Sequence, residues 1–370
     1  MDDTLATTPL HSAHVALGGK MVPFAGFSMP VQYPTGITAE HRAVREAAGL
    51  FDVSHMGEFQ LSGPDAQRFL QHVTVNDVSR MAVGQAQYSA LCREDGCVLD
   101  DLLIYREPRQ WMIVVNASNR ARDWEWMQRH AQPFDVELVD RSDETALLAL
   151  QGPLAAAILA PLAPDLDLDA IGYYRFASGE VAGIPMLVAR TGYTGEDGFE
   201  LYVRNEEALR LWDALLEAGS PRGLLPAGLG ARDSLRLEMG YALYGNDLDL
   251  EHTALESGLG WIVKLDKGPF VGSEALARQK AEGVPRRLVG LRCGERVFPR
   301  PGYPVVHGDE VVGVVTSGVL SPTLGVGVAL AYVPAALAAP GTELGVRIRD
   351  RSAPAVVERP PFHKGGSVRR

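Results

Sequence analysis

Cys97-Val98-Leu99-Asp100-Asp101-Leu102-Leu103-Ile104-Tyr105 carries two adjacent aspartates inside an otherwise apolar run. Apolar residues on both sides of the alternation predict a strand buried on both faces. Side chains alternate along a strand, so Asp100 and Asp101 point in opposite directions. An ionised carboxylate buried without a partner is strongly destabilising or has its pKa driven upward. Each aspartate therefore needs either a nearby backbone amine or a cavity that holds a cationic or N–H-bearing ligand. On these residues alone, either aspartate is the one that meets the ligand.

Working outward, residues 87–92 and 111–116 read as neighbouring strands. Residues 38–49, 64–73 and 118–130 read as helices, the first capped by Thr38 and closed by Gly49. A further strand is expected near residues 134–139. This order suggests an α+β domain with an antiparallel sheet. Residues 145–151 look like a buried strand, and Pro153 opens a short helix. Strands 186–191 and 199–203 flank the glycine-rich loop 192–198. The clearest helix is 206–218, where Ala208, Leu209, Trp212, Leu215 and Leu216 recur at helical spacing. Helices follow at 227–239 and 273–282. From Arg287 onward, short β-rich runs alternate with Gly and Pro turns, which predicts a small β-barrel or sandwich. A domain boundary is expected near residues 284–286.

The chain has 370 residues, more than one hydrophobic core usually spans, so two or three domains are expected. A net charge of −11 without a long basic run argues against a nucleic-acid partner. No run of apolar residues is long enough to cross a membrane, and residues 1–20 lack the pattern of a secretory signal, so a cytoplasmic protein is expected. Cys92, Cys97 and Cys293 are spaced wrongly for a zinc site or redox pair and read as reduced structural thiols. Gly18-Gly19-Lys20 is followed by Met21, so it is no phosphate loop, and no HExxH run occurs. His55, within Asp52-Val53-Ser54-His55-Met56-Gly57, is the one histidine in a motif-like run; a structural role is the more economical reading.

Two further runs carry possible chemistry. In Thr191-Gly192-Tyr193-Thr194-Gly195-Glu196-Asp197-Gly198-Phe199-Glu200, the glycines permit tight turns and close approach of a ligand. Glu200 alternates with Phe199 and Leu201, so it points away from their face and could accept the paired N–H donors of a 2-aminopyrimidinone ring. In the helix around Gly230-Ala231-Arg232-Asp233-Ser234-Leu235-Arg236, Arg232 and Arg236 share a face with Met239. An arginine there either closes an internal ion pair or holds an anion or carbonyl of a ligand.

Together these runs resemble the T protein of the glycine cleavage system, an aminomethyltransferase family. The resemblance extends over nearly the whole chain. It includes Met21-Val22-Pro23-Phe24-Ala25-Gly26-Phe27, Leu50-Phe51-Asp52-Val53-Ser54-His55-Met56-Gly57, Leu243-Tyr244-Gly245-Asn246-Asp247 and Ser321-Pro322-Thr323-Leu324-Gly325, in the family's order. The resemblance implies three domains in a cloverleaf: residues 1–54 with 145–284, an α+β domain at 55–144, and a C-terminal β-barrel at 285–370. It implies tetrahydrofolate as co-substrate, a lipoylated H protein as partner, and no metal. It assigns catalysis to Asp100, pterin binding to Glu200 and a folate contact to Arg232. Met56, Tyr88, Asn116, Tyr193 and Tyr241 are expected to line the pterin and aminobenzoyl slot, and Asp101 is left to stability. The tail at 359–364 matches the family only loosely. An alternative is a folate-binding relative that assists iron–sulfur assembly. That relative carries a cysteine where this chain has Lys267-Gly268-Pro269-Phe270-Val271-Gly272, which holds none.

Overall fold

A computed structural model describes residues 5–368, so the outermost residues of the expected first and last domains, 1–4 and 369–370, lie outside the described residues. Two antiparallel-rich sheets and a barrel organise the chain. The first sheet has six strands in the order Phe176–Val181, Ile184–Ala189, Gly198–Arg204, Thr145–Gln151, Ala48–Asp52 and Leu224–Pro226. The second has five, in the order Gln85–Cys92, Val98–Arg106, Trp111–Val115, Gly57–Ser62 and Glu137–Asp140. Six strands from Arg286 to Glu358 close into a barrel filled by Val289, Leu291, Val305, Val315, Ala329 and Val346. The family-level expectation of mixed helices, antiparallel sheets and a C-terminal barrel is thus met.

Alternation decides what each sheet face meets. In the first sheet Leu148, Leu150, Phe199, Leu201 and Val203 pack against Leu211, Trp212 and Leu215 of the Ala208–Gly219 helix. The opposite face presents Leu147, Ala189 and Tyr202 to Ala86, Tyr105 and Val114 of the second sheet. The Tyr105 and Tyr202 hydroxyls meet there at 2.9 Å. Behind the second sheet, Leu102, Ile104 and Ile113 pack with Phe69, Leu70 and Met127 of the Ala66–Val73 and Arg120–Ala131 helices. The Val98–Arg106 strand is therefore covered on both faces, by helices behind and by the other sheet in front.

The strands Lys20–Phe24, Phe27–Gln32, Gly57–Ser62 and Phe176–Val181 were not expected from the sequence, and the first long helix ends earlier than expected. The helix expected at 38–49 runs over Ile37–Glu46, with Gly36 at its N-cap, and Ala48–Asp52 is a wholly buried strand. Residues 48–52 pair with Thr145–Gln151 on one side and Leu224–Pro226 on the other, and that central pairing overrides local helical periodicity. Gly49 does not close the helix. It lets the strand lie against it, because a Cβ there would stand 2.4 Å from Val44 Cγ2.

Glu238, at the end of the Leu229–Glu238 helix, joins these parts. Its fully buried carboxylate accepts from Arg45 Nη2 at 2.7 Å and Thr323 Oγ1 at 3.0 Å, and lies 3.3 Å from His41 Nε2. Its carbonyl accepts the amides of Phe362 and His363 at 2.8 and 3.0 Å. A helix, a barrel loop and the tail thus converge on one residue. Burial alone would raise the Glu238 pKa, but His41 and Arg45 outweigh it and hold the group at about 2. A depressed folded-state pKa gives stability that is present above the unfolded value of 4.5 and lost as pH falls through about 2. Glu238→Gln should therefore destabilise the protein by about 3 kcal/mol near neutral pH. The gap in melting temperature between the two proteins should narrow on acidification; calorimetry across that range checks both.

Candidate active site

Between the two sheets and the rim of the barrel lies a cavity of about 1210 Å³. Glu200 enters it from the first sheet, and Asp101, Tyr88 and Asn116 from the second. Arg232, Tyr193, Tyr241 and Met56 complete the wall. All eight of these side chains are half-buried.

Asp100 is not among the lining residues. The sequence reading gave catalysis to Asp100 and stability to Asp101, but the strand turns Asp100 away from the cavity and Asp101 toward it. Asp100 shares the face of Leu102 and Ile104, which packs under the helices, and it is fully buried. Asp101 shares the face of Leu103 and Tyr105, which looks toward the first sheet and the cavity. Alternation forced the two apart, but only the packing of the sheet says which face is which.

The Asp101 carboxylate accepts from the Tyr88 hydroxyl at 3.0 Å and from Asn116 Nδ2 at 2.9 Å. Burial first, and then the charge of Asp100, raise its pKa. Across the cavity, the Thr191 hydroxyl donates to Glu200. Burial raises the Glu200 pKa, and the Thr191 and Tyr105 hydroxyls oppose that rise.

Arg232 and Arg236 lie four residues apart on one helix and have different fates. Arg236 is saturated: it pairs with Asp233 and Asp247 at 2.7 and 2.8 Å and donates to Ser317 at 2.8 Å. Arg232 pairs with no carboxylate among the described residues. Its guanidinium lies over the rings of Tyr193 at 4.9 Å and Phe24 at 5.8 Å. Burial lowers its pKa, which marks a cation short of compensation. Tyr193 stacks on Tyr241 with centroids 5.6 Å apart, and its hydroxyl donates to the Ala242 carbonyl.

The glycine-rich loop is held rather than loose. Arg190 grips Asp197 through two bonds of 2.8 and 2.7 Å and also donates to the carbonyls of Leu168 and Ile171. Gly195 has φ +81° and a Cβ there would fall 2.4 Å from Met239 Sδ, so glycine is required for packing. The tail closes on this loop: Ser367 Oγ accepts from the Asp197 amide and donates to Glu196.

Sequence reading missed Trp261, which is 65% exposed at the rim and stacks on Tyr88 with centroids 5.9 Å apart. An exposed tryptophan leaves no periodic signal. It also treated His55 as structural, whereas His55 borders the cavity beneath Phe24 and Phe27, and its Nδ1 has no partner among the described residues.

Residues 10–267 match the family profile described as the GCVT N-terminal domain, and residues 286–364 match the glycine cleavage T-protein C-terminal barrel domain. The chain belongs to the glycine cleavage T-protein family. Among its relatives in that family, an aminomethyltransferase of Symbiobacterium thermophilum is 54% identical, with 98% of this chain and 99% of the relative covered. One of Rubrobacter xylanophilus is 52% identical, covering 98% and 95%. The crystal structure of glycine cleavage system aminomethyltransferase T from Bartonella henselae superimposes with a TM-score of 0.92 at 35% identity, covering 99% of this chain and all of that one. The T-protein cavity is thus framed by both matched regions of the chain.

Burial, and then the charge of Arg232, press the His55 pKa down to about 4. A lowered histidine pKa means that the folded state resists protonation. The stability it contributes is present above the unfolded value of 6.5 and lost as pH falls toward about 4. Nitrogen NMR of the imidazole should therefore show His55 neutral at pH values where an ordinary histidine is half protonated. A transition at the ordinary value would contradict this environment.

Proposed function

We propose that this protein is the aminomethyltransferase of a glycine cleavage system. It moves the methylene carbon of an aminomethyl group from the lipoyl arm of an H protein to tetrahydrofolate. The products are 5,10-methylenetetrahydrofolate, ammonia and the reduced lipoyl carrier. The observation that carries this reading is the pair of half-buried carboxylates, Asp101 and Glu200, on facing sheets of one large cavity.

The residues fit such a substrate. Glu200 offers a carboxylate to the paired N–H donors of the pterin. Arg232, without a carboxylate of its own, is free to hold a carbonyl or anion. Tyr193, Tyr241, Tyr88 and Met56 give flat and polarizable surfaces suited to the fused ring and the aminobenzoyl group. The cavity volume exceeds the roughly 300–1,000 Å³ typical of a single small ligand, which leaves room for the end of a lipoyl arm.

Asp101 is the group assigned to the chemistry. Transfer develops positive charge on the bound amines, and a carboxylate held in place stabilises it without reorganising at the moment of reaction. Tyr88 and Asn116 fix the carboxylate, so its orientation is set before substrate arrives. Glu200, Arg232 and the stacked tyrosines hold the acceptor and keep bulk water from the amines.

The assay supplies aminomethylated lipoyl carrier and tetrahydrofolate and follows ammonia together with methylenetetrahydrofolate. Ammonia release that does not depend on folate would overturn the reading. Asp101→Asn is expected to fold, to bind folate, and to lose on the order of 10²-fold or more in turnover. Turnover at the parental rate would remove Asp101 from the chemistry. Glu200→Gln should instead weaken folate binding by roughly 10–100-fold, the value of a charge-assisted hydrogen bond, as read by calorimetric titration.

A further inference from the structure

Behind Asp101 lies a carboxyl pair that the transfer as described does not use. Asp123, in the first turn of the Arg120–Ala131 helix, is fully buried, and neither of its oxygens meets an N–H or hydroxyl donor among the described residues. Arg122 Nε stands 3.9 Å from it, too far for a hydrogen bond. Its hydrogen-bonding neighbour is another acid, Asp100.

Two carboxylates in such contact do not both ionise, so the pair holds one proton and one negative charge. The donors decide which group keeps which. Asp100 accepts from the Asn116 amide at 3.1 Å, from Asn116 Nδ2 at 2.9 Å and from Asn119 Nδ2 at 2.6 Å. Asp123 has none of these, so it carries the proton and donates it to the Asp100 carboxylate. Burial raises the pKa of both acids, but the hydrogen bonds from Asp123, Asn116 and Asn119 oppose the rise at Asp100, whereas the Asp100 charge adds to the rise at Asp123.

The charge sits directly under the cavity. Asn116 Nδ2 donates both to Asp100 Oδ1 and to Asp101 Oδ1, each at 2.9 Å, and so ties the two carboxylates together. Among the described residues the titratable groups facing Asp101 are Tyr88, Tyr193 and Arg232, with Arg122 and Tyr244 facing the pair behind.

We propose that the Asp100–Asp123 pair is a positioning device that holds a single buried negative charge against Asp101 and thereby fits Asp101 to accept the proton leaving a folate amine. The inference rests on Asp101 acting on the folate amines. In each of the two bond exchanges the folate nitrogen's lone pair forms the new bond to carbon. The electron pair of the broken C–S or C–N bond leaves with sulfur or nitrogen. The amine proton passes through Asp101 to that leaving group, and no oxidant or reductant enters.

The test is the pH dependence of kcat, whose acid limb reports protonation of Asp101 in the substrate complex. Asp100→Asn removes the charge, so Asp101 should give up its proton more readily and the limb should move to lower pH by on the order of one unit. Asp123→Leu removes the donated hydrogen bond, lets Asp100 become neutral, and should move the limb the same way. Asp123→Asn keeps a neutral donor and should leave the limb in place. A limb that stays put in the first two variants, or moves upward, overturns the proposal. Should either variant fail to fold, infrared difference spectroscopy of parent against Asp123→Asn decides. A protonated buried carboxyl band at neutral pH, lost in the variant, is expected, and its absence is fatal to the proposal. Parental turnover in Asp101→Asn would defeat the assignment of Asp101, whereas an unmoved limb defeats only the role of the pair.

Discussion

Two adjacent carboxylates on a strand covered on both faces constrain everything around them. Asp100 is fully buried and Asp101 is half-buried at the cavity wall, and alternation sends them to opposite sides of one sheet. Each side must then supply its own answer. Behind the sheet, two asparagines and a neutral Asp123 surround Asp100 with donors. In front, a tyrosine and one of the same asparagines hold Asp101 at the wall of a cavity. The asparagine contacts both acids because it follows directly on the neighbouring strand, where the chain turns toward the helix that bears Asp123.

The cavity exists because two sheets face one another without meeting along their whole length. Tyr105 and Tyr202 bring them together at one end through paired hydroxyls, and Glu200 stands two residues before that contact. The remaining gap is closed by parts distant in sequence: the Leu229–Glu238 helix, the barrel rim and the tail. Glu238 binds these closing parts to one another, so the integrity of the cavity depends on a buried ion pair outside it. Such a pair adds little net stability compared with apolar packing, yet removing one partner leaves an uncompensated charge. The arrangement specifies position more than it adds stability.

Much of this was legible in the chain. The strand 145–151 and the helix 273–282 stand where periodicity and turn residues put them, because each is fixed by local pattern. The helix around 38–49 was misjudged at its end because the pairing of Ala48–Asp52 is central and long-range, and local propensity yields to it. Glu200 and Arg232 stand out in the sequence because polar residues inside apolar runs leave a signal, whereas Tyr88 and Tyr193 come only from the family resemblance; all four line the cavity. The choice between Asp100 and Asp101 left none. A strand buried on both faces has no polar side to mark its orientation, so the sequence says that the two differ without saying how.

Arg232 and Arg236 show how the same logic separates structure from site. Helical spacing puts them on one face, and sequence offers each the same two roles, an ion pair or a ligand. The structure closes one with ion pairs and leaves the other without a carboxylate among the described residues. Arg236 is closed by two aspartates and a serine, and Tyr193, Asp233 and Asp247 together hold its pKa above the ordinary value against the effect of burial. Among the described residues Arg232 meets aromatic faces and no carboxylate partner, and burial pulls its pKa down. An interior tolerates such an incompletely compensated charge only where something from outside completes it. On the same wall His55 Nδ1 has no partner among the described residues, and burial, then the Arg232 charge, hold its pKa down. The polar groups that the fold leaves unanswered there thus mark where the substrate must supply the missing partners.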